Sequence, residues 1–387
     1  MPKVRRKNSV KQAIERAIKL RDKKKFEKLL RQKNITEDDI VSLKYAFWPD
    51  SGDLTMWDLF HRLDPKSFKN KSYNSLTAYE KLYFQLFDKY FAAEIAHRLN
   101  LGGAVKLSYD KKSMGEARLD GQMSGFGIMQ LKDHLLQFSA ESTDKLSPGF
   151  QQALDRMLNI TPQATVTPMN KKLDTDANGF IFAHVNHAWC ALLTKDKLYM
   201  INMGLGADKR SPGIHVYDVP QSKRLTIFNY LKSLENTDML NDIAKGLDCL
   251  DPKFNEIIFK RYTEAMKFNH FKNLPKKFRL KESEKINIPA QEVGNCNYYS
   301  LKGLFLAWMY HHNQKHYPKK QAYQKSLDDF MRFLKFDYNT AIDHYVAHAI
   351  RPNTTVLNLA KQKLGKMNSL TRESALNPAN YKRQVVR

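Results

Sequence analysis

Apolar and polar residues alternate with a helical period over most of the first 160 residues. Between residues 9 and 32, apolar side chains recur every three or four positions, and Lys and Arg occupy the opposite side. A second amphipathic stretch starts with a capping box at Thr77 and Glu80 and is expected to stop at Asn100. A third covers roughly 127–158. These patterns predict a mainly helical N-terminal part with little strand.

The pattern changes to short apolar runs after a stretch rich in Thr, Pro, Asn and Asp at 161–178. Four runs have the length and composition of strands: Phe180–Val185, His187–Leu193, Lys197–Met203 and Gly213–Val219. Helical periodicity returns over three stretches: 222–267, 296–312 and 321–362. Helices, then a small sheet, then helices indicate an α+β architecture.

Positive charge is concentrated at the start of the chain. Of 387 residues, 64 are Lys or Arg and 40 are Asp or Glu, which gives a formal net charge of +24. Residues 1–34 alone hold 14 basic and 3 acidic residues. This basic amphipathic arm favours a weak contact with an acidic protein or an anionic membrane.

Composition narrows the class of protein further. No apolar run approaches the ~18–20 residues that cross a bilayer, and none follows the basic N-terminus as in a signal peptide. Three cysteines in so long a chain do not make a disulfide framework and indicate a reducing compartment.

The segment with the most chemical information is 291–300, QEVGNCNYYS. Gly294 favours a loop, and the apolar residues that follow predict a buried helix beginning at Cys296. The free N–H groups at a helix N-terminus stabilise a thiolate and can bind an oxyanion. Gln291, five residues before the thiol, supplies a further oxyanion donor. The pattern favours Cys296 as a nucleophile over a structural thiol.

A thiolate nucleophile needs a base, and the base needs an orienting acceptor. His187 opens one predicted strand, and Asn202 lies near the end of the next. The two positions come close across an antiparallel hairpin. We therefore expect Asn202 to hold the His187 imidazole.

The order His, polar acceptor, Gln, Cys resembles the ubiquitin-like-protein protease clan, which includes adenovirus protease and the SUMO proteases. The Gly-Asn-Cys context at 294–296 is similar to that of effector deubiquitinases of intracellular bacterial pathogens. The resemblance covers roughly 180–312. Two positions depart from the pattern: Ala188 separates the His from the Trp that follows it, and Asn202 stands where Asp is commoner.

The resemblance implies a papain-like thiol protease core, in which a small, mainly antiparallel sheet packs on a central helix that carries the catalytic Cys. It implies a cysteine protease that removes ubiquitin or a ubiquitin-like modifier from a conjugated target protein. No cofactor, metal or obligate nucleic acid is implied, and the location is a host cytosol reached by secretion from a bacterium. The implied catalytic residues are Cys296, His187, Asn202 and Gln291, and the implied substrate-binding residues are Trp189, Gly294 and Asn295.

The expected organisation has five parts. These are a basic arm (1–34), a helical domain (35–160), a thiol-protease-like catalytic domain (161–315), a C-terminal helical segment (316–365) and a flexible tail (366–387).

Alternatives stay open at several positions. His184 competes with His187 as the base, and alternation is expected to put the two on opposite faces of the sheet. Asp218 is the substitute acid. Cys190 and Cys249 lie in apolar runs and are interpreted as core residues.

Other histidines are interpreted as structural. His344 and His348 have a metal-ligand spacing but no partner ligand nearby in the sequence. His311, His312 and His316 are expected at a solvated helix end.

Two alternative functions remain. One is an acetyl-CoA-dependent acyltransferase of the same clan. The other is a basic nucleic-acid-binding protein with a structural cysteine.

Overall fold

The computed structural model describes residues 28, 71–76, 78–119, 124–142, 144–160, 172–184, 187–202, 213–235, 269–286 and 296–376. The chain forms two compact units. The sheet unit is Met123–Lys335, and the helical unit is drawn from Met1–Gln122 and Phe336–Arg387. All but one residue of the basic arm lies outside the described residues.

The helical unit begins with α1 (Ala78–Leu99), which is followed by a hairpin of β1 (Ala104–Tyr109) and β2 (Lys112–Arg118). Helix α1 stops at Asn100, as predicted, and Asn100 has a φ of 55°. The unit also contains the end of α7 (Lys319–His348) and the helix α8 (Thr354–Leu376).

The hairpin β1–β2 was not predicted. Its turn residues Asp110 and Lys111 have φ of 47° and 62°, as a two-residue hairpin turn requires. The strands are short, and β2 contains a glycine and three charged residues, so its sequence has no apolar run.

The sheet unit opens with α2 (Ser124–Glu141) and α3 (Pro148–Leu158). Its five antiparallel strands lie in the order β3-β4-β5-β6-β7. They are β3 (Ala177–His184), β4 (His187–Thr194), β5 (Lys197–Ile201), β6 (Ile214–Asp218) and β7 (Glu282–Ile286). Helices α4 (Gln221–Glu235), α5 (Asn269–Lys277) and α6 (Cys296–Asn313) complete it.

One face of this sheet packs against α4 and α5. Its buried cluster alternates along each strand and includes Phe180, Phe182, Trp189, Ala191, Leu193, Leu198 and Met200 from the sheet and Ile227, Phe228, Leu231 and Leu274 from the helices. We call this the α4 face. The strands were predicted from the length and composition of their apolar runs.

The other face packs against α6, and we call it the α6 face. Ser300 of α6 donates its hydroxyl to the Ala188 carbonyl (3.0 Å), and the Tyr310 ring lies edge-on to Tyr199, with centroids 6.5 Å apart. A Cβ at Gly179 would lie 2.4 Å from Trp308 Cζ2, so β3 and α6 approach closely there. Residues 298–310 of α6 are all buried, as its apolar sequence predicted.

The α+β class is confirmed, and all four predicted strands are present as β3–β6. The edge strand β7 was missed because four of its five residues are polar or charged. No helix among the described residues is long and apolar enough to span a membrane.

Candidate active site

Helix α6 begins at Cys296, the residue at which the sequence predicted it to start. Its N-terminus therefore presents backbone N–H groups and the positive end of the helix dipole at this position. An anion or a thiolate is stabilised there.

The contacts of α6 fix the level at which Cys296 meets the sheet. Ser300 lies against Ala188, and Trp308 lies against Gly179, which pairs with Leu192 of β4. Helix α6 therefore runs alongside β4 in the same direction. Four helical residues rise about 6 Å, and two strand residues rise about 6.6 Å. Since Cys296 precedes Ser300 by four residues, it lies about two strand residues before Ala188, which is one residue beyond His187, the first residue of β4.

The base candidates His184 and His187 are direct cross-strand partners at the end of the β3–β4 hairpin. Directly paired residues share a face of a sheet. The expectation that alternation puts them on opposite faces is therefore wrong. The two histidines lie on different strands, separated by only two residues. The rule that successive residues of one strand point to opposite faces therefore does not apply to them.

Asn202 follows β5 and is buried, with 3% of its surface exposed. Cys190 pairs with Ile201, and the same register carried one residue further puts Asn202 opposite Trp189. The end of β5 therefore lies beside the start of β4. The structure brings the backbone positions of Cys296, His187 and Asn202 to the same end of the sheet.

The alternative acid Asp218 lies elsewhere. It ends β6, pairs in register with Lys197, and binds the Lys197 ammonium at 2.5 Å. This hydrogen bond lowers the pKa of the Asp218 carboxyl. Lys197 and Asn202 are at opposite ends of β5, about 16 Å apart, so Asp218 is not the neighbour of the His187 position.

Trp189 belongs to the buried cluster of the α4 face. It is 5% exposed and stacks on Phe182 with ring centroids 3.9 Å apart. Its observed contacts are those of a core side chain, and its role in substrate binding stays a prediction. Gln291, Gly294 and Asn295 lie outside the described residues. Cys190 is buried, as predicted, and Cys249 lies outside the described residues.

Side chains that the sequence did not single out anchor the first turns of α6. Tyr298 Oη and His134 Nδ1 of α2 are 2.6 Å apart, and both residues are buried. The buried Lys302 ammonium lies over the Tyr298 ring, 4.5 Å from its centroid. With the bond from Ser300 to β4, these contacts fix the position of the helix start. No sequence signal joined His134 to Tyr298, because 164 positions separate them.

The histidine pair His344 and His348 takes part in packing within the helical unit. His344 Nδ1 lies 2.6 Å from Glu94 Oε1, and the His348 ring stacks on Phe91. His348 Nδ1 is 2.8 Å from the His344 carbonyl oxygen. This pair does not belong to a metal-binding group among the described residues.

At the far end of α6, one group of side chains has the composition of a metal site. Asp176, His311 and His312 each offer a ligand atom, and these atoms lie within 4.8 Å of one another. His312 is 3% exposed, so the expectation of a solvated helix end is wrong for this residue, although His316 is exposed. Burial lowers the pKa of His312 to about 4 and also lowers that of His311.

No protein-family model and no curated protein matches the chain. Among solved structures, the chain is similar to one titled "Structure of Legionella Effector AnkH", with 15% sequence identity and a TM-score of 0.48. The match covers 95% of this chain and 83% of the other.

Proposed function

We propose that the chain is a cysteine-dependent isopeptidase that removes ubiquitin or a ubiquitin-like modifier in a host cytosol, with Cys296 as its nucleophile. The observation that carries the proposal is the position of Cys296 along the direction of strand β4. This residue begins a buried helix whose fifth residue, Ser300, binds the carbonyl of Ala188, the neighbour of His187. The resemblance of the His, Asn, Gln, Cys order to the ubiquitin-like-protein protease clan supplies the substrate class.

Each residue has a defined role in the proposed reaction. The Cys296 thiolate attacks the carbonyl carbon of the modifier's C-terminal glycine, and the backbone N–H groups of α6 and the Gln291 amide stabilise the oxyanion. His187 takes the thiol proton and gives it to the departing lysine amine. Water then cleaves the thioester, which releases the modifier carboxylate and restores the thiol. Asn202 orients the imidazole.

The position of the base is the most demanding part of the proposal. Along β4, Trp189, Ala191 and Leu193 lie on the α4 face, and the backbone position 187 continues that row. The base must therefore meet the thiol beyond the last strand pair, at the end of the sheet. His187 and its partner His184 form the last strand pair at this end, and the proposal takes His187 as the base.

A ubiquitin that carries a thiol-reactive electrophile at its C-terminus tests substrate and nucleophile together. The wild-type chain should take up one modifier on Cys296, and Cys296→Ala should take up none. Cys190→Ala is the matched control and should label like wild type, because Cys190 is 1% exposed. Adducts that persist in Cys296→Ala would show that another cysteine is the nucleophile.

The base is tested by hydrolysis of a ubiquitin–lysine isopeptide. His187→Ala should lower turnover by about 100-fold or more, the usual contribution of a general base, and His184→Ala should retain most of it. Asn202→Ala should lower turnover and leave alkylation of Cys296 partly intact. The reverse ranking of the two histidines would move the base to His184.

Acyl transfer from acetyl-CoA uses the same nucleophile and is the second candidate. The basic composition of the chain suits the phosphates of CoA. Incubation with labelled acetyl-CoA separates the two functions. Acetyl label on Cys296, with no adduct from ubiquitin or any ubiquitin-like probe, would replace the isopeptidase with an acyltransferase.

A further inference from the structure

The cluster at the C-terminal end of α6 contains a buried imidazole that lacks hydrogen-bond partners among the described residues. Both ring nitrogens of His312 are buried, and neither makes a hydrogen bond within the part of the chain that the structure describes. Its Nδ1 faces Asp176 at 3.9 Å from Oδ2, which is too long for a hydrogen bond. Buried polar atoms are nearly always satisfied, so an exception of this kind calls for a missing partner.

The neighbouring donors define what that partner can be. His311 Nε2 lies 3.0 Å from Asp176 Oδ1, and the two histidine rings have centroids 5.2 Å apart. Two imidazoles and one carboxylate are the ligand set of Zn²⁺ and of similar divalent transition metals. Metal–ligand bonds of about 2.0–2.1 Å bring ligand atoms to within about 4 Å of one another. The observed separations need only small side-chain rotations to meet that requirement.

Two cations share the carboxylate. Lys315 Nζ lies 2.5 Å from Asp176 Oδ1, and Arg156 Nη2 lies 3.5 Å from Oδ2. Their side chains are 42% and 39% exposed, so both can turn into water when another cation takes the oxygen atoms. Asp176 is itself 27% exposed, which gives an ion a path from solvent.

We propose that Asp176, His311 and His312 form a binding site for a divalent transition metal of the Zn²⁺ class. The metal takes the place of the Lys315 ammonium on Asp176 and supplies the missing partner of His312. It joins the segment that precedes β3 to the last turn of α6. Three protein ligands leave a coordination position for water.

Titration with Co²⁺ tests the site directly, because the visible spectrum of the bound ion reports its ligands. The full chain is prepared without a polyhistidine tag and treated with a chelator. We expect one equivalent of Co²⁺, displaced by Zn²⁺, without the charge-transfer bands of a Co²⁺–thiolate. His311→Gln and His312→Gln should each weaken binding at least tenfold.

Two further variants sharpen the test. Lys315→Met removes the competing ammonium and should tighten binding severalfold. His316→Gln changes an exposed histidine three residues beyond the end of the helix and should leave the affinity unchanged. Because Lys315 is a surface residue, its variant gives a result even where His312→Gln does not fold.

Three outcomes would overturn the proposal. They are no bound Co²⁺ in the wild-type chain, binding that persists in both the His311→Gln and His312→Gln variants, and an affinity that does not rise in Lys315→Met. In each of these cases the cluster is an ion-pair network only.

Discussion

Two buried regions of the molecule are held together in different ways. In the helical unit, a charged cluster joins α1 to α7: Arg98 donates to Asp337 at 2.7 Å and lies 3.6 Å from Glu94, and all three side chains are at most 4% exposed. In the sheet unit, the α4 face is filled by apolar side chains such as Phe180 and Trp189. The charged cluster is stabilised by ion pairs between oppositely charged side chains, and the α4 face by close packing of apolar side chains.

The difference has energetic consequences. An apolar core tolerates volume-conserving changes at a cost usually below about 1.5 kcal/mol. A buried ion pair does not tolerate the loss of one partner, because the remaining charge is left without compensation in a medium of low polarity. The charged cluster should therefore be more sensitive than the α4 face to a single substitution that conserves side-chain volume.

The largest effect is expected for Arg98→Met. The substitution keeps much of the side-chain volume and deprives the buried Asp337 carboxylate of the guanidinium that it pairs with. We expect a loss of about 3–5 kcal/mol in the free energy of unfolding. Hydrogen exchange in α1 and α7 measures this loss within the helical unit.

The double variant Arg98→Met/Asp337→Leu is the control. It removes both charges and should recover most of the lost stability, since a buried pair can often be replaced by apolar residues at little cost. If the double variant is as unstable as Arg98→Met, the loss comes from packing, and the contrast between the two regions disappears.

The same contrast explains which parts of the fold the sequence revealed. The strands β3–β6 and the helix α6 were predicted because the residues that they bury form local apolar runs in the sequence. The charged cluster was invisible, because Arg98 and Asp337 are 239 positions apart and each resembles a solvated helix residue on its own. Likewise, β7 and the hairpin β1–β2 lack an apolar run.

The candidate site follows the same rule. The start of α6 at Cys296 was predicted because a polar, Gly-containing segment meets an apolar helix there. The pairing of His184 with His187 depends on where the hairpin turns, which strand parity alone does not give. His312 joins Asp176 only through tertiary structure, across 136 positions, and no local pattern marked the pair.

The second prediction concerns pH and the helical unit. Asp88 is 1% exposed, and its carboxylate accepts the N–H groups of Ile350 (2.9 Å) and Arg351 (3.3 Å). Burial raises the pKa of Asp88 to about 7, although these hydrogen bonds act against the rise. In an unfolded chain the pKa is about 3.9.

Between about pH 4 and pH 7, the folded chain therefore holds a proton that the unfolded chain has lost. Stability should fall as the pH rises through this window, by up to about 4 kcal/mol. Urea unfolding at several pH values measures this slope, and Asp88→Asn should remove it. Asp110→Asn is the matched control, because Asp110 also accepts a backbone N–H but is exposed. An unchanged slope in Asp88→Asn would show that ionisation of Asp88 does not cause the fall in stability as the pH rises.

The third prediction tests shape matching in the sheet unit. A Cβ at Gly179 would lie 2.4 Å from Trp308 Cζ2 and 3.1 Å from Cη2, so Gly179→Ala forces the indole to move. We expect a loss of about 1–3 kcal/mol. Gly365→Ala is the control, because a Cβ there meets nothing within 4 Å and the residue lies in α8. Thermal unfolding should show that the control gains up to about 1 kcal/mol from helix propensity. Equal effects at both glycines would contradict the close approach of β3 and α6.

The smallest effect is expected for Ser300→Ala, which removes the hydrogen bond from α6 to the Ala188 carbonyl. The cost should be about 1–2 kcal/mol, because the hydrogen bond that is lost is buried. Ser233→Ala removes a similar bond to the Tyr230 carbonyl on the exposed side of α4 and should cost less than about 0.5 kcal/mol.

The Ser300→Ala variant also tests whether this hydrogen bond positions the thiol or only stabilises the fold. If the bond sets the level of Cys296 against the start of β4, Ser300→Ala should slow modification by the ubiquitin probe more than it slows alkylation by a small reagent. Equal slowing of both reactions would mean that the bond stabilises the fold without positioning the thiol.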